Sequence, residues 1–248
     1  MLGRKAGVAT ELKKLFPTLL IWHCSNHRLE LALSDTRNEV HGVNRFQMFF
    51  DTLYSLCNLS SKNQRELMVC SSNLDKRLKK VSKIFTIRLV SSSLRTVKAV
   101  CDGYSALAKH FSEAKGDNLR ESRERAKYEG LCKYFTSYQF VVNLGIMHDA
   151  LTELSELSSY LKRQNITLPE ENTQIKRTIK VLVSMCDLPG EYVKESSKAI
   201  ADEQFQDIKL QSYPKVTQIN QSQFFRSLVS NLNNRLIENI SRSSHESV

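Results

Sequence analysis

The chain has 248 residues, of which 41% are hydrophobic and 25% charged, so a large buried core is expected and a wholly disordered chain is excluded. Only eight glycines and four prolines occur, too few for the frequent turns of an all-β sandwich, which favours a helix-rich fold. The 36 Lys and Arg against 26 Asp and Glu give a net charge of +10. This charge favours contact with polyanions such as nucleic acid, although solvated surface lysines are the plain alternative.

The cysteines and the apolar runs indicate an intracellular protein without a membrane span. The N-terminal stretch lacks the apolar run of a signal peptide, and no segment approaches the roughly 18 apolar residues of a spanning helix. The cysteines form no CxxC pair, which is typical of reduced intracellular thiols. They are Cys24, Cys57, Cys70, Cys101, Cys132 and Cys186.

The N-terminal region predicts one helix followed by one strand. Apolar residues at helical spacing over 3–16 predict an amphipathic helix with a basic outer side. Pro17 ends this helix, and the continuous apolar run from Leu19 to Trp22 predicts a buried strand. Beyond His27 the apolar spacing is helical, so we predict no second strand.

The rest of the chain predicts a series of helices. We expect them over 27–41, 43–59, 61–70, 92–110, 140–161, 167–182, 191–205 and 220–236, with a partly helical charged segment over 115–125. The polar stretch from Cys70 to Lys83 predicts a surface loop. Gly103 predicts a bend in the helix over 92–110, and the segment 206–219 is predicted to be extended.

Two of these helices carry additional signals. Thr167 and Glu170 have the spacing of a capping box, and Asn220 is a good cap for the last helix. The near-heptad over 140–161 predicts a helix packed along its length, in the core of a bundle or at the seam of a dimer.

His23, Cys24 and His27 cluster at the junction of the predicted strand and helix, where they could bind zinc. A closed site needs a fourth ligand, and no other Cys or His has the paired spacing of a zinc finger. Cys-His catalysis is a weaker alternative, because nothing marks an oxyanion hole. The structural alternative places Cys24 and Trp22 in the core and His27 at a helix start.

Several segments together resemble one family. They are Gly-Arg-Lys-Ala-Gly-Val-Ala at 3–9, Leu-Phe-Pro at 15–17, the segment 21–32 around Cys24-x-x-His27, and the segments 91–100 and 104–111. This set resembles the hAT-superfamily DNA transposases and the domesticated vertebrate proteins derived from them, with Cys24-x-x-His27 matching the family's (C/D)xxH motif. The resemblance covers most of the chain.

The resemblance implies a mainly α fold: a large helical insertion domain attached to part of an RNase H-like α/β core. The expected boundaries are 1–27 for the core edge ending in the CxxH motif, 28–240 for the helical insertion and 241–248 for a disordered tail.

The resemblance also implies the loss of DNA cleavage. Family transposases hold two divalent metals with three acidic residues, two before the glycine-rich opening stretch and one after the insertion. We therefore expect no catalytic residue, metal or cofactor. The family's Thr-Arg-Trp motif corresponds to Ile87-Arg88-Leu89, which removes an aromatic surface for base stacking.

The implied function is that of a non-enzymatic nuclear scaffold that binds proteins and the DNA backbone without sequence preference. Oligomerisation stays open, because we expect no hAT dimerisation segment or BED-type zinc finger. Candidate phosphate contacts are Arg4, Lys5, Lys13, Lys14, Lys79, Lys80, Lys83 and Arg88.

Two alternatives remain. One hAT-derived vertebrate relative is a SUMO E3 ligase, and Ile179–Val183 beside Asp187 faintly resembles a SUMO-interacting motif, although a helix there argues against strand pairing. The other is a relic without selected function.

Overall fold

The computed structural model describes residues 8–17, 24–74, 83–84 and 89–237. These residues are mainly helical, which confirms the predicted fold class. The first six α-helices are α1 (Val8–Leu15), α2 (Ser25–Glu39), α3 (His41–Leu59), α4 (Ser61–Asn73), α5 (Leu89–Asp102) and α6 (Tyr104–Gly116). The next five are α7 (Ser122–Phe135), α8 (Tyr138–Leu161), α9 (Leu168–Ser184), α10 (Glu191–Ala201) and α11 (Gln221–Leu232). A π-helical turn, Asn233–Ile237, follows α11.

Side-chain caps fix where several helices begin. Ser60, Ser137 and Asn220 each accept a hydrogen bond from the backbone N–H three residues later. The capping box predicted at Thr167 is present, because the Glu170 carboxylate accepts the Thr167 backbone N–H at 2.9 Å. The caps predicted for α9 and α11 are therefore confirmed.

Helix α8 is the central element of the fold. Phe140, Leu144, Met147, Leu151 and Leu154 are all buried, and α8 packs against α2, α5, α9 and α10. These side chains are covered within one chain, so the near-heptad spacing belongs to the core of a bundle and not to a dimer seam.

The first and last parts of the helical region pack on each other through α2 and α11. The Asn231 amide donates hydrogen bonds to the Thr36 hydroxyl at 3.2 Å and to the Glu39 carboxylate at 3.0 Å. Arg235, in the π-helical turn, pairs with Asp35 at 2.8 Å. Contacts between distant parts of the sequence therefore close the bundle.

The region after α10 differs from the prediction. Helix α10 ends at Ala201 rather than near Phe205, and a hairpin of β1 (Gln204–Phe205) and β2 (Ile208–Lys209) follows, so the prediction of no strand beyond His27 was wrong. The two turn residues, Gln206 and Asp207, have φ of 47° and 66°, the positive values that suit a two-residue hairpin turn. Gln-Asp is not a usual turn pair, which explains why no turn was predicted at this position.

Helix α1 forms as predicted over Val8–Leu15, but its apolar side is exposed. Val8 and Leu15 are 61% and 72% exposed, and Phe16 is 59% exposed. The predicted strand at 19–22, residues 75–82 of the predicted loop and the 241–248 tail lie outside the described residues, and the domain boundaries stay a prediction. The predicted bend at Gly103 is a break between α5 and α6.

Candidate nucleic-acid interface

Cys24 and His27 lie at the start of α2. Cys24 is the N-cap residue and is exposed, so its placement in the core was wrong. His27 lies in the first turn and is also exposed, at the helix start where the structural alternative put it. Within the described ranges, no three His, Cys, Asp or Glu side chains are grouped so that they could hold a metal ion.

The structure describes only two of the predicted phosphate contacts with their side chains. Lys14 is exposed on α1 and forms an ion pair with Glu11 at 2.7 Å. Lys83 is exposed and its ammonium lies 5.4 Å from the centroid of the Tyr54 ring. Both cations thus have a partner inside the protein. The side chains of Arg4, Lys5, Lys13, Lys79, Lys80 and Arg88 lie outside the described residues.

A different set of cations lines a groove of about 470 Å³ between α3, α7 and the segment before α11, here named the α3–α7 groove. Arg45 comes from α3, Lys127 from α7 and Lys215 from the segment before α11, and no carboxylate lines the groove. None of the three cations has an ion-pair partner within the part of the chain that the structure describes; the Arg45 Nε atom donates to His41 Nε2 at 3.3 Å. The groove therefore carries uncompensated positive charge.

The third side of the α3–α7 groove is held by a buried amide. Asn143 on α8 donates from its Nδ2 atom to the Thr217 carbonyl at 2.9 Å and accepts the Ile219 N–H at 2.7 Å. A turn closed by the Val216 N–H and the Tyr213 carbonyl at 3.0 Å places Lys215 just before this anchor. The Lys215 backbone is thus fixed against the bundle, although its side chain is exposed.

The floor of the α3–α7 groove is aromatic. The Phe49 and Tyr134 rings stack with centroids 4.4 Å apart and planes 7° apart, and Met48 beside them is 53% exposed. Burial raises the pKa of the Tyr134 phenol to about 12, so this side chain stays neutral at physiological pH. Three cations above an uncharged floor can attract a phosphate backbone and offer apolar contact to the groups attached to it.

A second cluster of charges is structural. The Arg120 side chain is buried in the α6–α7 connection, where it bonds to Glu66 of α4 and Glu124 of α7 and lies 5.0 Å from the Tyr128 ring. Burial lowers the pKa of the neighbouring His110, so the neutral imidazole is favoured. Arg120 is surrounded by partners inside the protein, and the cluster therefore ties three elements together without offering a site.

The segment compared with a SUMO-interacting motif is helical. Ile179–Val183 lies within α9, and Leu182 is fully buried. A helix does not present an extended strand, as edge pairing requires.

The comparisons with known proteins do not assign this chain to a family. No family model matches the chain, and no solved structure is found to resemble it. Among the described residues, no helix is long and apolar enough to cross a membrane.

Sequence reasoning missed the α3–α7 groove because its cations are distant in the chain and form no run. The only sequence signal was the total charge of +10, which predicts a basic surface somewhere but does not locate it.

Proposed function

We propose that this chain is a non-enzymatic nuclear protein derived from an hAT transposase, acting as an interaction scaffold that binds DNA through phosphate contacts. The family resemblance of the sequence and the net charge of +10 support the proposal. The helical bundle supplies the rigid support that such a scaffold needs.

The α3–α7 groove is the observation that carries the DNA part of the proposal. Its three cations lack carboxylate neighbours in the lining, so their charge is available to a polyanion. Contacts of Lys and Arg side chains with phosphates carry no sequence information, so binding should depend on phosphate charge rather than on base sequence. Lys14 and Lys83, which have partners within the protein, contribute less.

The test is fluorescence anisotropy of a short labelled duplex of arbitrary sequence over a salt series. We expect binding at low salt that weakens as salt rises. Replacing Arg45, Lys127 and Lys215 together by Ala should make the slope of log K against log[salt] less negative. The expected change is about 0.9 for each phosphate that the variant no longer neutralises, up to about 2.7 for three.

The matched control replaces Lys176, Lys180 and Lys198 together by Ala. These three lysines are exposed on α9 and α10 and lie outside the α3–α7 groove, so the net charge changes equally. We expect a smaller change in slope for this control. Equal reductions in the two triple variants would show that the α3–α7 groove is not the binding site. If the parent chain does not bind the duplex at low salt, the DNA part of the proposal is wrong.

No feature of the described ranges favours the SUMO-ligase alternative. It stays a prediction of the sequence resemblance, and reconstituted SUMO transfer with and without the chain tests it directly.

A further inference from the structure

A second groove lies between α5, α8 and α9, and we name it the α8–α9 groove. Its volume is about 570 Å³, within the range of small-molecule sites, whose pockets run from roughly 300 to 1,000 Å³. None of the residues lining it lines the α3–α7 groove. Its function is therefore a separate question from DNA binding.

Three cations from three separate parts of the chain line the α8–α9 groove. Lys98 comes from α5, Arg163 follows the end of α8 and Arg177 comes from α9. No carboxylate lies within ion-pair distance of any of the three among the described side chains. Instead, the Arg163 guanidinium lies 4.6 Å from the centroid of the Tyr160 ring, which leaves its N–H edge open to a planar or tetrahedral anion.

Neutral hydrogen-bonding groups fill the space between these cations. Ser155 and Ser159 line the groove from α8, one helical turn apart, and Gln174 lines it from α9. The side chains of these three residues form no hydrogen bond with any other part of the described chain. Two hydroxyls and an amide are thus available to a ligand that carries hydroxyl groups.

One carboxylate, Glu156, also lines the α8–α9 groove. A site built only for inorganic anions would be weakened by this negative charge. A carboxylate accepts hydrogen bonds from hydroxyl groups, however, so Glu156 suits a ligand in which phosphates and hydroxyls are both present. The chemistry of the groove is therefore mixed: three cations, three neutral donors and acceptors, and one acceptor for hydroxyls.

We propose that the α8–α9 groove binds a small phosphorylated polyol, with the class of sugar phosphates as its ligand. The phosphates pair with Lys98, Arg163 and Arg177, where the two guanidinium groups form the bidentate bonds that favour phosphate. The hydroxyls bond to Glu156 and to the two serines.

Isothermal titration calorimetry of the full chain tests the proposal with three probes: fructose 1,6-bisphosphate, inorganic pyrophosphate and fructose. At equal ionic strength we expect the bisphosphate to bind more tightly than pyrophosphate, and fructose to show no saturable binding, since the phosphates supply most of the attraction. Equal affinity for the bisphosphate and pyrophosphate contradicts the role of the hydroxyls. No binding of the bisphosphate overturns the whole inference.

Variants separate this site from the DNA site. The double change Arg163→Ala with Arg177→Ala should weaken the bisphosphate by about tenfold or more, because two charge-assisted bonds are removed. The control Lys176→Ala with Lys180→Ala changes the charge of α9 equally outside the groove and should leave the affinity unchanged. Thermal unfolding of each variant checks that it is folded.

Two further measurements discriminate. The change Glu156→Gln should raise the affinity for pyrophosphate and reduce the preference for the bisphosphate, since a negative charge is removed and a good hydroxyl acceptor is weakened. The triple α3–α7 groove variant should bind the bisphosphate as the parent does. If the Arg163 and Arg177 changes weaken duplex DNA but not the bisphosphate, the α8–α9 groove belongs to the DNA surface and the inference is wrong.

Discussion

Asp149 shows how one buried carboxylate can start a helix from another part of the chain. Its side chain extends from α8, and its two oxygens accept the backbone N–H groups of Tyr192 and Val193, each at 3.1 Å. Gly190, the N-cap residue of α10, has no side chain that could do this. Burial raises the pKa of Asp149, and the two backbone hydrogen bonds act in the opposite direction.

The first prediction concerns Gly190, which leaves room for that carboxylate. A Cβ atom at this position would lie 2.4 Å from Asp149 Oδ2, whereas its φ of −69° suits alanine, so steric contact alone requires glycine. We expect Gly190→Ala to lower the free energy of unfolding by roughly 1–3 kcal/mol. Asp149→Ala should cost about the same, because two N–H groups lose their acceptor. The double variant should cost less than the sum, as a double-mutant cycle in urea measures.

The control for this cycle is Asp187→Ala, since Asp187 is an exposed carboxylate in the same region. We expect a change within about 0.5 kcal/mol. Strictly additive effects of Gly190→Ala and Asp149→Ala would show that the two residues do not interact.

The sequence revealed one side of this contact only. The helices predicted over 167–182 and 191–205 leave a break between them, and this break is present. The partner of Gly190, Asp149, lies in the middle of an apolar helix, where no local pattern marks it as a cap for α10. The cations of the α3–α7 groove escaped prediction for the same reason, because packing brings them together.

At the scale of elements, α8 and α10 approach closely because small residues face each other. A Cβ atom at Gly145 would lie 2.5 Å from the Ser196 hydroxyl and 2.7 Å from the Tyr192 carbonyl. This approach allows the His148 ring of α8 to stack on Tyr192 of α10, with centroids 3.4 Å apart. The interface is therefore tight and contains a buried titratable ring.

The second prediction follows from that ring. Burial, followed by the charge of Lys98, lowers the pKa of His148 to about 4, although Asp102 acts in the opposite direction. The unfolded chain binds the proton near pH 6.5, so stability is lost as the pH falls from about 6.5 towards 4. The loss approaches about 3 kcal/mol at most, and urea unfolding across this pH range measures it.

The variant His148→Phe keeps a ring against Tyr192 and should flatten the pH profile. His27→Gln is the control, because His27 is exposed and should not affect the profile. Burial also lowers the pKa of His110, and this residue contributes equally to the pH dependence of stability in the parent chain and in both variants. An unchanged pH profile in His148→Phe would contradict the assignment.

At the scale of the whole molecule, the fold class followed from composition and periodicity, since apolar spacing identified the helices α2 to α6, α8, α9 and α11, whereas α7 was predicted only in part. The β1–β2 hairpin and the early end of α10 did not follow, because their backbone conformation is set by three residues with positive φ that are not glycine. The exposed apolar side of α1 also differs from the prediction, because the apolar side of an amphipathic helix is normally buried.

The last prediction concerns α11, whose contact with α2 joins distant parts of the chain. Phe224, Phe225, Leu228 and Leu232 are at most 1% exposed. Their burial contributes roughly 6–12 kcal/mol, comparable with the total stability of a domain, about 5–15 kcal/mol. We therefore expect a chain that ends at Asn220 to lose its cooperative unfolding transition, as circular dichroism on heating would show. The exposed-residue variant Gln223→Ala should keep the transition. Cooperative unfolding of the shortened chain at the parent's midpoint would show that α11 is not needed for the bundle.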